Sequence, residues 1–146
     1  MNPATADYTS PPSPVRWPAG SAAVARPARV LLVEDEPLIA LALARELENA
    51  GFAVIGPAAT VADALRHLRG SDGCDAAVLD VNLGRETSAP VALELIARHT
   101  PIVVLSGYAR SQQPLVFHDM PALAKPVRVE MLLRELRLLL PPQCNE

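Results

Sequence analysis

Aromatic side chains are scarce, 3% of a 146-residue chain in which half of the residues are hydrophobic. A core must therefore be built from Val, Leu, Ile and Ala, the composition of parallel sheets covered on both faces by helices. Cysteine is nearly absent. Cys74 and Cys144 stand alone, with no CxxC spacing and no secretory segment ahead of them, which argues against a disulfide or zinc framework and for free thiols in a reducing cytoplasm. No apolar run approaches the ~20 residues that a membrane helix needs. Basic charge is lacking too: the formal net charge is -3, and the stretch up to Ala28 sets Arg16 and Arg26 against Asp7, so the acidic balance lies in the remainder. A nucleic-acid footprint requires a clustered basic face. The expectation is a cytoplasmic protein with neither a nucleic-acid nor a membrane partner.

Proline is abundant but unevenly placed. Pro3, Pro11, Pro12, Pro14, Pro18 and Pro27 fall among Ser, Thr and Ala in residues 1–28, a density that blocks helix and sheet ladders and reads as a disordered tail. Within it, residues 11–14 match a PxxP ligand pattern close to the sole tryptophan, Trp17; an extension without function is the preferred reading. The folded domain is expected over 29–140, followed by a short C-terminal tail at 141–146.

From Arg29 the texture changes. Residues 30–33 form a strand-like run ending in Glu34, Asp35 and Glu36, and Pro37 stands where a helix opens. Ile39, Leu43, Leu47 and Ala50 recur at helical spacing until Gly51. A second strand at 52–55 is closed by Gly56-Pro57, and Thr60 caps a helix carrying Val61, Ala64, Leu65 and Leu68. After turn residues at 70–73, the third strand, 76–79, ends at Asp80. A polar loop at 82–86 leads to Thr87 or Ser88 as the cap of a helix entered through Pro90, with Val91, Leu95 and Ile96 on one face. A fourth strand, 102–105, closes at Ser106-Gly107-Tyr108. Pro114 limits any helix before Met120 to a short one. Leu123 lies in a short fifth strand before Lys125-Pro126, and Val129, Leu132, Leu133, Leu136 and Leu140 outline the last helix. Strands alternating with helices predict a doubly wound parallel α/β sheet with right-handed crossovers, of flavodoxin-like order 2-1-3-4-5.

Ligands of such sheets bind at the carboxyl ends of the strands. That rule gathers Glu34 and Asp35, Asp80, Ser106 and Lys125 from four different strands. Like charges ~4 Å apart repel by about 4 kcal/mol at an effective dielectric of ~20, so a cation enters or a carboxyl protonates. Magnesium, which prefers oxygen ligands and accepts phosphate oxygens, fits: Asp35 and Asp80 as direct ligands, the backbone carbonyl of Asn82 beside them, Glu34 through water. Ser106 and Lys125 would meet phosphoryl oxygens, leaving Asp80 as nucleophile.

Val-Leu-Leu-Val-Glu-Asp-Glu at 30–36, Val-Leu-Asp-Val-Asn-Leu at 78–83, Ser-Gly at 106–107 and Ala-Lys-Pro at 124–126 together resemble the response regulator receiver domain of two-component signalling. The resemblance implies that Asp80 is the phosphoacceptor, Glu34 and Asp35 the acidic pair, Ser106 with Gly107 the switch and phosphoryl-binding segment, and Lys125 the phosphoryl-pairing lysine. It implies Mg2+, with Mn2+ as a substitute, and a cis peptide before Pro126. The family's usual switch aromatic, three residues before the lysine, is here Ala122. That departure and the short 106–125 segment resemble the receiver subset with a Phe-Ala-Thr-Gly-Tyr pattern, matched in part by Pro-Ile-Val-Val-Leu-Ser-Gly-Tyr at 101–108, with Tyr108 as candidate switch aromatic.

The implied function is a phosphoacceptor module rather than an enzyme, phosphorylated by a histidine kinase or histidine phosphotransfer protein and otherwise only dephosphorylating itself. Six residues follow Leu140, so the expectation is a single-domain regulator acting on another protein, or a phosphate sink. Leu38 and Leu41 of the first helix and Met131 and Leu138 of the last offer apolar contacts to an unknown downstream protein or to a second copy of the chain. His67, His99 and His118 read as ordinary surface histidines. An aspartate phosphatase would need a second acid where Asn82 stands, and no GxGxxG or P-loop marks a nucleotide site. A receiver that binds partners without phosphorylation is the third class considered.

Overall fold

The computed structural model describes residues 26–70 and 73–141. The expectations for residues 1–25, the PxxP stretch, Trp17, Cys144 and most of the 141–146 tail lie outside the described residues. One compact unit spans Pro27–Pro142. Its elements are β1 (Arg29–Val33), α1 (Pro37–Asn49), β2 (Ala53–Ala58), α2 (Val61–Arg69), β3 (Ala76–Asp80), β4 (Asn82–Leu83), β5 (Glu86–Thr87), α3 (Ala89–Ala97), β6 (Ile102–Ser106), β7 (Ala122–Ala124) and α4 (Val129–Leu139). The main sheet is parallel, in the order β2-β1-β3-β6-β7; β4 and β5 form a separate antiparallel ribbon. Setting that ribbon aside, this is the predicted 2-1-3-4-5 order.

Strand alternation divides the core in two. Leu31, Val33, Ala77, Leu79 and Val104 face Ala64 and Leu68 of α2 and Val91, Ala92 and Leu95 of α3. Val30, Leu32, Val78, Val103 and Leu105 face Leu43 and Leu47 of α1 and Leu132 and Leu136 of α4. The central strand β3 is buried along its whole length, as a strand flanked by sheet neighbours and helices on both faces must be.

Several local expectations are corrected. The second strand does not close at Ile55 but continues through Gly56-Pro57 to Ala58, with a register irregularity against β1 and a cis Gly56-Pro57 peptide. β2 is an edge strand, where a proline removes no ladder bond on its open side. The loop at 82–86 is instead the β4–β5 ribbon, turned at Gly84 with φ +68°. In α1 the buried stripe is Ala40, Leu43, Ala44 and Leu47, leaving Ile39 41% exposed. That helix is apolar on more than one side, so its periodicity does not single out the inner face. In α3, Ala92 replaces Ile96 on the inner face for the same reason, and Ile96 is exposed.

No regular helix fills the interval between β6 and β7. Two 3-10 turns, Arg110–Gln112 and Leu115–Phe117, stand there, the second beginning after Pro114. Phe117 is fully buried in the α2–α3 side of the core. The Lys125-Pro126 peptide is cis, as the resemblance implied.

Candidate functional site at the carboxyl ends of the strands

The continuation of β1 fixes the first acid. Glu34 N–H donates to the carbonyl of Ala58 at 2.9 Å, so the irregular end of β2 carries Glu34 below the surface, where it is almost completely buried. Its Oε2 accepts from Glu36 N–H at 3.1 Å. Asp35, the next residue, is exposed. At the end of β3, parallel pairing with β6 sets Asp80 opposite Leu105, and Asn82 N–H reaches Asp80 Oδ1 at 3.3 Å. Carboxylate oxygens of Glu34, Asp35 and Asp80 all lie within 4.8 Å of one another.

The fifth strand of the sheet brings the cation. β7 pairs Ala124 with Ser106, and Lys125 N–H donates to the Ser106 carbonyl at 3.0 Å. Lys125 Nζ then lies 2.7 Å from Asp80 Oδ2 and 3.3 Å from Glu34 Oε1. Burial by itself pulls the ammonium pKa down, but the hydrogen bond and charge of Asp80, joined by Glu34, outweigh it and hold Lys125 above its ordinary 10.5. Glu34 is also raised, first by burial; the Glu36 N–H opposes this, the Asp80 charge adds to it, and Lys125 offsets only part.

One ammonium against three carboxylates leaves a net negative pocket. The donor set consists of hard oxygens, and burial together with the Asp80 charge already lifts Glu34, so the cluster fits a divalent cation of the magnesium type. A phosphoryl group on Asp80 fits the same pocket, with Lys125 within its reach.

Ser106 is the member of the set whose hydroxyl does not point into this cluster. It is buried at the end of β6, but its Oγ accepts from Tyr108 N–H at 3.0 Å and donates to the Tyr108 carbonyl at 3.3 Å. Gly107 follows it, exposed. Tyr108 itself is 62% exposed. His118 turns its ring Nε2 toward the carbonyl of Gln113 at 3.0 Å.

Supporting residues went unread in the sequence. Ser88, expected as a helix cap, makes no cap bond; its hydroxyl donates to the carbonyl of Asp80 at 2.7 Å, tying the start of α3 to the acid's own backbone. Glu86 of β5 accepts from Val61 N–H at 3.0 Å, joining the ribbon to the N-terminus of α2, where a carboxylate is favoured. A Cβ built on Gly84 would stand 4.0 Å from Asp35 Oδ2, so the ribbon turn flanks the pocket. None of these follows from periodicity, because each depends on how separate elements meet in the fold.

Fold and site together define a receiver-type phosphoacceptor module. The chain belongs to the response regulator receiver domain family, whose model matches residues 30–137. It is 35% identical over 100 residues to the transcriptional regulatory protein PdtaR of Mycobacterium tuberculosis, an alignment covering 68% of this chain and 47% of that protein. The chain thus spans about half the length of that relative. SdrG of Sphingomonas melonis, solved in solution, is 39% identical, with a TM-score of 0.68 over 80% of this chain and 98% of that one. TrrA of Thermotoga maritima, crystallised in complex with Mg2+–BeF, shares the fold at 23% identity and a TM-score of 0.66, over 77% of this chain and 99% of that one. No helix among the described residues is long and apolar enough to cross a membrane.

Proposed function

We propose that this protein is a cytoplasmic response regulator that accepts a phosphoryl group on Asp80, in a magnesium-dependent reaction, from a histidine kinase or a histidine phosphotransfer protein. The observation that carries the reading is the approach of Lys125 Nζ to Asp80 Oδ2, 2.7 Å, within a cluster of three carboxylates. An Asp80 oxygen forms the new bond to phosphorus while the bond from phosphorus to the donor nitrogen breaks, and the donor imidazole leaves with the electron pair. Bound magnesium supplies charge neutralisation between the carboxylates and the phosphoryl oxygens. Asp35, Asp80 and the Asn82 carbonyl are its proposed ligands, with Glu34 acting through water. Lys125 pairs with one phosphoryl oxygen. Ser106, beside Gly107, rotates from Tyr108 to donate to another, and the resulting shift of the loop between Ser106 and Lys125, with the change it makes to the face shared with the last helix, is the signal. Tyr108, exposed at that loop, reports the shift to a partner.

The output is proposed to be a protein contact or the draining of phosphoryl groups. Support comes from apolar side chains left outside the core. Leu38 and Leu41 of α1 are exposed, and so are Met131 and Leu138 of α4. A groove of about 410 Å³ runs between α1 and the loop after β7, lined by Leu38, Ile39, Leu43, Pro126 and Val127.

The test is incubation with a small acyl phosphate and magnesium, read by intact mass. The expected result is a labile phosphate adduct on the wild type that is absent from Asp80→Asn and from wild type treated with chelator. A folded, magnesium-binding protein that forms no adduct would replace this reading with a receiver that acts by binding alone.

A further inference from the structure

The loop between β6 and β7 contains a hydrogen-bond arrangement that the phosphoryl site does not explain. The backbone of Tyr108 takes part in three side-chain hydrogen bonds. Its N–H donates to Ser106 Oγ, and its carbonyl accepts both from Ser106 Oγ at 3.3 Å and from Gln113 Nε2 at 3.1 Å. Gln113 is only 9% exposed, and its Oε1 is buried without a hydrogen-bond partner. A buried acceptor with no donor is costly and calls for a cause. Reversing the carboxamide does not cure it, since Oε1 would then face the Tyr108 carbonyl, acceptor against acceptor.

Ser106 Oγ reaches both groups of Tyr108, so both point the same way here. The carboxamide that holds the Tyr108 carbonyl through Nε2 carries its free Oε1 on the same carbon, so the unanswered acceptor belongs to the group that already grips Tyr108.

We propose that Gln113 is a positioning residue that takes over the Tyr108 N–H when Ser106 turns toward a phosphoryl group on Asp80. This rests on the reading of Asp80 and Ser106 given above. Without a substitute acceptor, rotation of Ser106 strands the Tyr108 N–H. With Gln113, bonds are exchanged rather than lost. Ser106 gains a phosphoryl oxygen, Oε1 gains its missing donor, and Tyr108 stays tethered through both backbone groups. The idle oxygen of the resting state is the acceptor required in the loaded one.

The test uses the full chain, isotope-labelled, with magnesium alone or with magnesium and beryllium fluoride as the phosphoryl mimic. In wild type, a through-hydrogen-bond coupling from the Tyr108 amide nitrogen to the Gln113 Cδ is expected only with beryllium fluoride, while Tyr108 amide exchange stays slow in both states. Gln113→Leu should leave that exchange unchanged with magnesium alone and speed it by about tenfold when beryllium fluoride is added, as expected for one lost hydrogen bond. A purely structural role for Gln113 would change both states alike, and that result overturns the proposal. Ser106→Ala supplies an arm that needs no phosphoryl group: with the hydroxyl gone, the coupling to Gln113 should be present from the start. If beryllium fluoride fails to bind at Asp80, the phosphoacceptor reading falls while the Ser106→Ala spectrum still decides the role of Gln113. Absence of the coupling in Ser106→Ala overturns the takeover.

Discussion

Lys125 and Asp80 meet at 2.7 Å although their strands, β7 and β3, are not neighbours; β6 lies between them. The ammonium crosses the end of β6 because that strand terminates at Ser106, which is small and turns its hydroxyl into the following loop. Glu34 shares the same ammonium at 3.3 Å, so one side chain balances acids from two further strands.

Removing that cation should destabilise the metal-free protein. Lys125→Met leaves Glu34 and Asp80 buried beside each other with no counter-charge, a loss of about 1 to 3 kcal/mol once the partial exposure of the lysine is allowed for. Magnesium should restore a larger share of stability to the variant than to wild type. Urea unfolding with and without the ion measures both; equal gains in the two proteins would contradict the electrostatic account.

Glu34 predicts a pH dependence. Its pKa is raised in the folded state, chiefly by burial, so its contribution to stability is fully present below the ordinary carboxyl value of 4.5 and is lost as pH rises through the elevated folded value. At neutral pH the ionised carboxylate is therefore a cost in the metal-free protein. Glu34→Gln should raise the metal-free melting temperature and flatten the stability profile just above pH 4.5. In wild type, magnesium affinity should weaken as pH falls through that same window, because protons compete for the carboxylate. A variant melting lower than wild type without metal would show that the Lys125 contact outweighs desolvation.

Gly56 is irreplaceable for a local reason that reaches the site. Its φ is +96°, and a Cβ there would lie 2.7 Å from Ala58 N and 3.0 Å from the Leu32 carbonyl. Gly56→Ala should cost about 1 to 3 kcal/mol and shift the Glu34 amide resonance, since Glu34 N–H bonds the Ala58 carbonyl. Gly51→Ala, with φ +99° but open space around it, is the control: strain alone, with the Glu34 amide unmoved.

The β6–β7 segment should be docked rather than loose, and Phe117 decides it. Phe117→Ala empties a fully buried site at a cost of about 3 to 5 kcal/mol. Leu115→Ala, two residues away and largely exposed, should stay within about 0.5 kcal/mol of wild type. Similar losses from both would mean that the segment is held some other way.

Much of this protein is legible in its residues. Apolar runs of strand length, separated by helical periods and punctuated by Gly51, Pro90 and Pro101, specify the parallel sheet, because strands joined through helices pair in parallel and are covered on both faces. The order of those runs delivers Glu34, Asp35, Asp80, Ser106 and Lys125 to strand ends. Tertiary structure alone decided what each then touches. Ile39 and Ile96 lie outside while Ala40 and Ala92 lie inside, because a helix that is apolar on more than one side does not announce its buried face in its periodicity. Ser88 abandoned its helix cap for the Asp80 carbonyl, Ser106 turned to Tyr108, and Gln113 was buried with one oxygen unanswered. Periodicity records which side of an element is apolar; the hydrogen-bond partner of a polar side chain, near or far in sequence, depends on directions that exist only once the chain has folded.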